Sequence, residues 1–291
     1  MSGPVPDPAA PLTPSGNLRR RQVFSRLAES GATIAAILAV AVLAIVIYTV
    51  VARGAGAISF DFLFTGAPTG IGPAIVGTGL IVLVATAIAM PLGVLVAIYL
   101  TEFAGSRMAG PIRLALDLMN GLPSIIIGLF VFGLLVNHRH QSGFAGSIAL
   151  AIIELPLIAR GSQEVLLLVP GSLREAADAL GVSRWRSVLG VILPSALGGI
   201  VTSTVLAVAR AAGETAPLII VCSIFDGKSA TLNPFEVVPN IPVTIYTLSE
   251  EANPEGFTRA WGSGLVLVSF ILFASLGARA LLARSKRKMP T

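Results

Sequence analysis

Six long apolar stretches limit what this chain can fold into more than any other feature. They lie at about 30–52, 73–101, 112–136, 145–168, 194–222 and 262–283, each near or above the ~20 residues an α-helix needs to cross the hydrocarbon core of a bilayer. A water-soluble fold would have to expose part of that surface. Of the 291 residues, 54% are hydrophobic and 12% charged, where an ordinary soluble domain carries roughly 25% charged residues. The pattern predicts an all-α membrane protein with six transmembrane helices. Arg19, Arg20, Arg21 and Arg26 before the first block, and Ala55-Gly56-Ala57 after it, are features a signal peptide shares. Its apolar stretch, however, is well beyond the ~7–15 residues of a signal-peptide core, so it reads as a span of residues 30–52.

Orientation follows from the basic residues. With the N-terminus inside, fifteen Lys and Arg fall on inner segments, and four (Arg53, Arg139, Lys228 and Arg259) fall on outer ones. This is the positive-inside asymmetry, and it predicts that both termini are cytoplasmic. The net charge of +5 is therefore a topology signal, and no nucleic-acid partner is expected. Residues 1–29 read as a disordered basic cytoplasmic tail, with five prolines before residue 19, and 284–291 as a basic cytoplasmic tail. A single cysteine, Cys222, and two histidines, His138 and His140, leave no basis for a disulfide framework or a metal site. The outer segment 223–261 is the longest loop and carries a formal charge of −3. A loop of that length is more often functional or partner-binding than idle.

Two regions carry chemistry. In the cytoplasmic loop 172–194, Ser172-Leu173-Arg174-Glu175 has capping-box spacing and predicts a short helix from Leu173. Gly181 can close that helix in a left-handed turn, and Ser183 can cap a second turn through Trp185 before Pro194 opens the fifth span. In that span, Gly199, Ser203, Ala207 and Ala211 recur every four residues as a packing stripe. Arg210 and Glu214 fall about 20° and 60° from Gly199 on the helical wheel, so both are expected on the packed face. Charge inside a membrane is expensive, and a partner or a function is expected for it. An i,i+4 pair gives mutual neutralisation, and the planar arginine fork also suits an oxyanion. Pro217 leaves the Gly213 carbonyl unpaired and should kink the helix beside Glu214. Glu154 and Arg160 in the fourth span are a possible pair, and Arg160 with Glu164 another.

These residues resemble a known family. Glu175-Ala176-Ala177, Gly181 and, after nine intervening residues, Val191-Ile192-Leu193-Pro194 resemble the EAA loop of permease subunits of bacterial ATP-binding-cassette (ABC) importers, with Val191 where isoleucine is usual. Ala209-Arg210-Ala211-Ala212-Gly213-Glu214-Thr215-Ala216-Pro217 resembles the permeases of the phosphate-specific importer, and its Glu-Thr-Ala-Pro ending the A-type subunit. Gly70 to Thr78, Gly121 to Leu129 and Leu155 to Arg160 fit equally, while Glu154 departs from the apolar residue expected there.

The resemblance implies a type I ABC importer permease (MetI-like) core over residues 73–283 in a bacterial inner membrane. It implies no catalytic residue and no cofactor of its own. Glu175, Ala176, Ala177, Gly181, Ser183 and Arg184 would couple to an ATPase, Arg210, Glu214 and Thr215 would line the substrate pathway, and Pro194 and Pro217 would break helices. The implied partners are membrane lipid, a homologous second permease, a cytoplasmic ATPase dimer that binds ATP and Mg, and an extracytoplasmic phosphate-binding protein. The chain has no G-x-x-x-x-G-K-[ST] loop of its own. Two other readings stay open at this stage: import of another oxyanion such as molybdate, sulfate or phosphonate, and proton-coupled transport using Glu154 and Glu214. A third is a scaffold reporting phosphate supply.

Overall fold

The computed structural model describes residues 18–137, 140–222, 229–251 and 253–287. His138, Arg139, Asp226 and Lys228 lie outside the described residues, as do residues 1–17 and 288–291. The chain divides into two units, one ending at Thr49 and the other beginning at Val50. Among the described residues, all regular structure is helical.

The first unit holds most of α1 (Leu18–Gly54). This helix begins at Leu18, so residues 18–29, expected as tail, are helical. From Ile34 to Ile47 its apolar side chains point in every direction around the axis, as suits a helix surrounded by hydrocarbon.

The second unit opens with α2 (Phe60–Phe64), capped where Ser59 Oγ accepts the Phe62 amide at 3.1 Å. Then comes α3 (Gly72–Ile98), extended by a π-helical turn over Tyr99–Phe103. The third apolar block is not one straight crossing. It forms α4 (Ser106–Gly121) and α5 (Ser124–Val131), with a π-helical turn to Val136, bent by 98° at Leu122 and Pro123. Pro123 explains the break, because it removes an amide donor and biases Leu122 toward extended backbone.

Next are α6 (Gly143–Leu167), α7 (Gly171–Ala179) and α8 (Arg184–Ser187). A π-helical turn (Val188–Ile192) joins α8 to α9 (Leu193–Ala211), and α10 (Ala216–Val221) follows. Pro194 therefore does not open the fifth span. Helix already runs from Arg184, and the π turn before Pro194 shifts the hydrogen-bond register where the ring lacks an N–H. Pro217 does more than kink that span: α9 stops, Ala212 to Thr215 turn, and Pro217 sits in the first turn of a new helix.

The outer segment contains α11 (Ile241–Glu250), capped by Asn240, and the last span begins at Pro254 as α12 (Pro254–Arg287), earlier than its apolar block suggests. Thr231 and Asn233 donate to the Glu236 carboxylate at 2.7 and 3.1 Å and hold its carboxyl below the ordinary glutamate value.

The second unit is organised around α3, α6 and α9. Between helices in lipid there is little hydrophobic transfer to gain, so close contact of small side chains and interhelical hydrogen bonds carry the association. Ala85 and Ala89 of α3 and Ala149 and Leu150 of α6 are fully buried together, and Ser147 donates to the Ile81 carbonyl at 3.0 Å. The α9 stripe meets α6 as its spacing suggests: Gly199 abuts Val165, and Ser203 abuts Gly161. Glu154 does not pair with Arg160, nor Arg160 with Glu164. Glu154 Oε2 accepts from Thr86 on α3 at 3.0 Å, and Arg160 pairs with Asp117 on α4. Both pairings cross between helices, where i,i+4 reasoning does not reach.

Candidate functional site: a cavity between two broken helices

The break in α4–α5 and the break in α9–α10 face each other. Gly128 on α5 lies against Pro217 on α10, where a Cβ at position 128 would come within 2.7 Å of the proline Cα. Only glycine permits that approach of one backbone to the other. Beside this contact is a cavity of about 190 Å³, below the roughly 300–1,000 Å³ of pockets for drug-sized ligands and on the scale of a small ion. Met119, Asn120, Leu122, Pro123, Ser124 and Ile127 line it from the first break, Ile153 and Leu157 from α6, and Arg210 and Glu214 from the second.

Arg210 lies in the last turn of α9, and its Nε lies 3.7 Å from Glu214 Oε1. The arginine side chain is 61% exposed and the glutamate 16%. Arg210 is thus not on the packed face. The helical wheel places Arg210 within the small-residue stripe, but near the end of α9 that side of the helix borders the cavity instead of a packed neighbour. Glu214 lies in the turn after α9 rather than one helical turn along it. The guanidinium is restrained by one long contact and presents most of its donors to the cavity. Thr215 stands just before α10, where its carbonyl accepts the Ile219 amide, and does not line the cavity. Asn120 and Ser124 do line it and were not singled out from sequence. Their signal was Pro123 interrupting an apolar block.

The cytoplasmic loop forms a second site. Helix α7 begins at Gly171, with Pro170 in the capping position and no side-chain cap, so the Ser172 capping box does not form. Pro170, at φ −55° and ψ 135°, already holds the extended geometry of a cap, which places Ser172 inside the first turn. The C-terminal end forms as the glycine suggests. Gly181 has φ +67°, its amide donates to Asp178 O and the Val182 amide to Ala177 O, a Schellman closure. Ser183 precedes α8 without a side-chain cap. Ala177 is buried, while Glu175, Ala176, Gly181, Ser183 and Arg184 are exposed. With them, Leu180 at 81% and Trp185 at 49% leave large apolar surface open on the cytoplasmic side.

Arg174 faces the other way, toward the membrane helices. Its Nε and Nη2 donate to Glu102 Oε1 at 3.1 and 2.8 Å, and Nη2 and Nη1 also donate to the carbonyls of Leu166 and Val169 at 3.0 and 2.8 Å. Arg184 approaches Glu102 at 3.7 Å, and Trp185 stacks against Phe103 at 5.9 Å between ring centres. Glu102 was not marked from sequence. Its signal was a carboxylate at the cytoplasmic end of an apolar span.

Discontinuous membrane helices around a small, charged cavity, with an exposed cytoplasmic helix-turn-helix, define a membrane transport subunit. Residues 89–289 match the family described as binding-protein-dependent transport system inner membrane component. The phosphate transport system permease protein PstA of Xylella fastidiosa (strain 9a5c) is 34% identical over 276 residues, covering 92% of this chain and 96% of that protein. PstA of Yersinia pestis is 39% identical over 219 residues, covering 75% and 74%. Among solved structures, a bacterial alginate ABC transporter in complex with an alginate pentasaccharide-bound periplasmic protein aligns with TM-score 0.65 at 16% identity, over 94% of this chain and 99% of that one. The inward-facing MetNI methionine ABC transporter aligns with TM-score 0.61 at 18% identity, over 78% and 99%. The chain belongs to the binding-protein-dependent transport inner membrane component family, among members named PstA. Its fold is the permease fold of ABC importers, set in the inner membrane.

Proposed function

We propose that the chain is the transmembrane channel subunit of an ATP-driven importer of inorganic phosphate, receiving phosphate from an extracytoplasmic binding protein and passing it to the cytoplasm. The observation that carries this reading is the exposed Arg210 fork in the cavity between the two helix breaks, restrained by Glu214. The PstA relatives supply the substrate class. A planar guanidinium pairs two donors with two phosphate oxygens. Glu214 offsets its charge, so the anion is held briefly and then released. Asn120 and Ser124 offer neutral polar groups that replace water without adding charge.

The chain carries out no covalent chemistry. ATP and Mg are bound and ATP is hydrolysed by a cytoplasmic ATPase dimer, onto which Glu175, Ala176, Leu180 and Trp185 dock. A second, homologous permease completes the pathway on the open side of Arg210.

The test is reconstitution with those partners in liposomes and measurement of labelled phosphate uptake. Saturable uptake that needs ATP and that neither sulfate nor molybdate blocks is the expected result. Block by a competitor keeps the machine and changes the oxyanion. Uptake that survives removal of ATP but is abolished by collapsing the proton gradient returns the proton-coupled reading. Deleting Glu175 through Gly181 is expected to release the ATPase from the purified complex; full co-purification rejects the docking assignment.

A further inference from the structure

We propose that Glu102 is a positioning residue of the transport cycle: through Arg174 and Arg184 it fastens the cytoplasmic helix pair α7–α8 to the ends of α3 and α6, so that a push on α7 moves the cavity wall. This rests on the reading of α7 as the ATPase-docking helix.

Four observations carry it. The Glu102 side chain is 1% exposed, although it lies near the cytoplasmic end of the second span, where an exposed carboxylate would be unremarkable. Both its oxygens are engaged, Oε1 by the Arg174 fork and Oε2 by Arg174 and Arg184. Arg174 also satisfies the Leu166 and Val169 carbonyls, closing the end of α6. Finally, Glu102 sits in the π-helical turn Tyr99–Phe103, and Arg184 stands just ahead of the π-helical turn Val188–Ile192. Such turns are places where a helix re-aims its side chains, and they are frequent at functional sites.

The consequence is mechanical. Two routes lead from α7 to the cavity. One runs through α8 and α9 to Arg210. The other runs back through the three-residue link Leu168–Pro170, stiffened by Arg174 and Glu102, into α6, whose Ile153 and Leu157 form the opposite wall. With the clamp closed, α7 cannot move against α9 without carrying α6. With it open, the first route can move while the second stays behind. Buried ion pairs are poor stabilisers, since well-packed apolar groups often do as well. What they provide well is a single fixed register.

The test measures phosphate taken up and ATP hydrolysed in the same liposomes, for the complete complex carrying wild-type chain, Glu102→Gln or Arg174→Lys. Glutamine keeps the size and loses the charge, and lysine keeps the charge and loses the fork. In Glu102→Gln, ATPase co-purification and hydrolysis are expected to persist while phosphate moved per ATP falls by about tenfold. Arg174→Lys is expected to lower the same ratio by a smaller factor. An unchanged ratio in Glu102→Gln overturns the proposal. So does a fall of uptake and hydrolysis in step with the amount of assembled complex, because a merely structural role leaves the ratio alone. If Glu102→Gln does not assemble, the ratio for Arg174→Lys decides. Absence of ATP-dependent uptake in the wild-type control rejects the proposed function itself, and is distinguishable because it appears before any substitution is made.

Discussion

Two arginine–glutamate pairs, Arg210–Glu214 and Arg174–Glu102, are built from the same side chains and held in opposite ways. Arg210 touches Glu214 once, at 3.7 Å, and leaves 61% of its side chain open. Arg174 makes close contacts to Glu102 and to two main-chain carbonyls, and its carboxylate partner is sealed from solvent. A guanidinium with free donors and one loose partner can exchange that partner for a passing anion. One with its donors committed can only transmit position. The contrast is set by backbone. Glu214 lies in a turn after a helix end, whereas Glu102 is turned inward by a widened helical turn against three other elements.

The sharpest way to break this contrast is to swap the kinds of damage. Arg210→Ala is expected to reduce phosphate uptake by about a hundredfold or more, the scale of removing one partner from a charged recognition pair. Co-purification of the ATPase should be unchanged, and Arg210→Lys should retain some uptake. If Arg210→Ala instead leaves phosphate uptake intact, Arg210 holds no passing anion and the contrast between the two pairs fails.

Next in size is Gly128→Ala. The added methyl must push α5 away from Pro217, and overpacking of this kind costs about 1–3 kcal/mol. Uptake should drop several-fold with hydrolysis retained, and a normal uptake rate would show that the cavity does not depend on the contact. Gly181→Val should cost about 1–2 kcal/mol, because a β-branched residue is forced to positive φ, while Gly181→Asn should cost little. Thermal unfolding in detergent measures the difference, and co-purification of the ATPase should weaken in the same order.

The smallest effect sharpens the description of Glu154. A double-mutant cycle of Thr86→Val and Glu154→Gln should give a coupling of about 0.6 kcal/mol, the average for interhelical hydrogen bonds in membranes. A coupling near zero would remove that bond from the account of α3–α6 packing.

What was legible from sequence follows from the range of each interaction. The apolar blocks reported the long helices, since burial in lipid acts on every residue of a span. Arg210 and Glu214 stood out because a charge there has few explanations. Gly181 could be read because its turn involves only neighbours. The 98° bend at Leu122–Pro123 was not read, because hydropathy is blind to direction and Pro123 was one proline among several. Prolines 91, 111 and 156 sit inside unbroken helices. Arg160 was paired with Glu164 by spacing, yet Asp117, distant in sequence, takes it. Glu102 is bound by residues that only tertiary structure brings near. Ser172 fails as a cap for a local reason, since Pro170 already occupies that geometry.

The meeting of Gly128 and Pro217 also bears on how the protein is made. A helix of the length of α10 rises only about 9 Å, far short of the ~30 Å hydrocarbon layer, so it cannot enter the bilayer as an independent stem. Its seat on α5 is synthesised several seconds earlier at ordinary ribosomal rates. During that interval the bare face of Gly128 has no partner within the nascent chain and must be shielded by lipid or by the insertion machinery. The two interruptions that form the cavity are therefore also tied together in assembly: a chain released before Pro217 leaves the seat at Gly128 without the residue that occupies it.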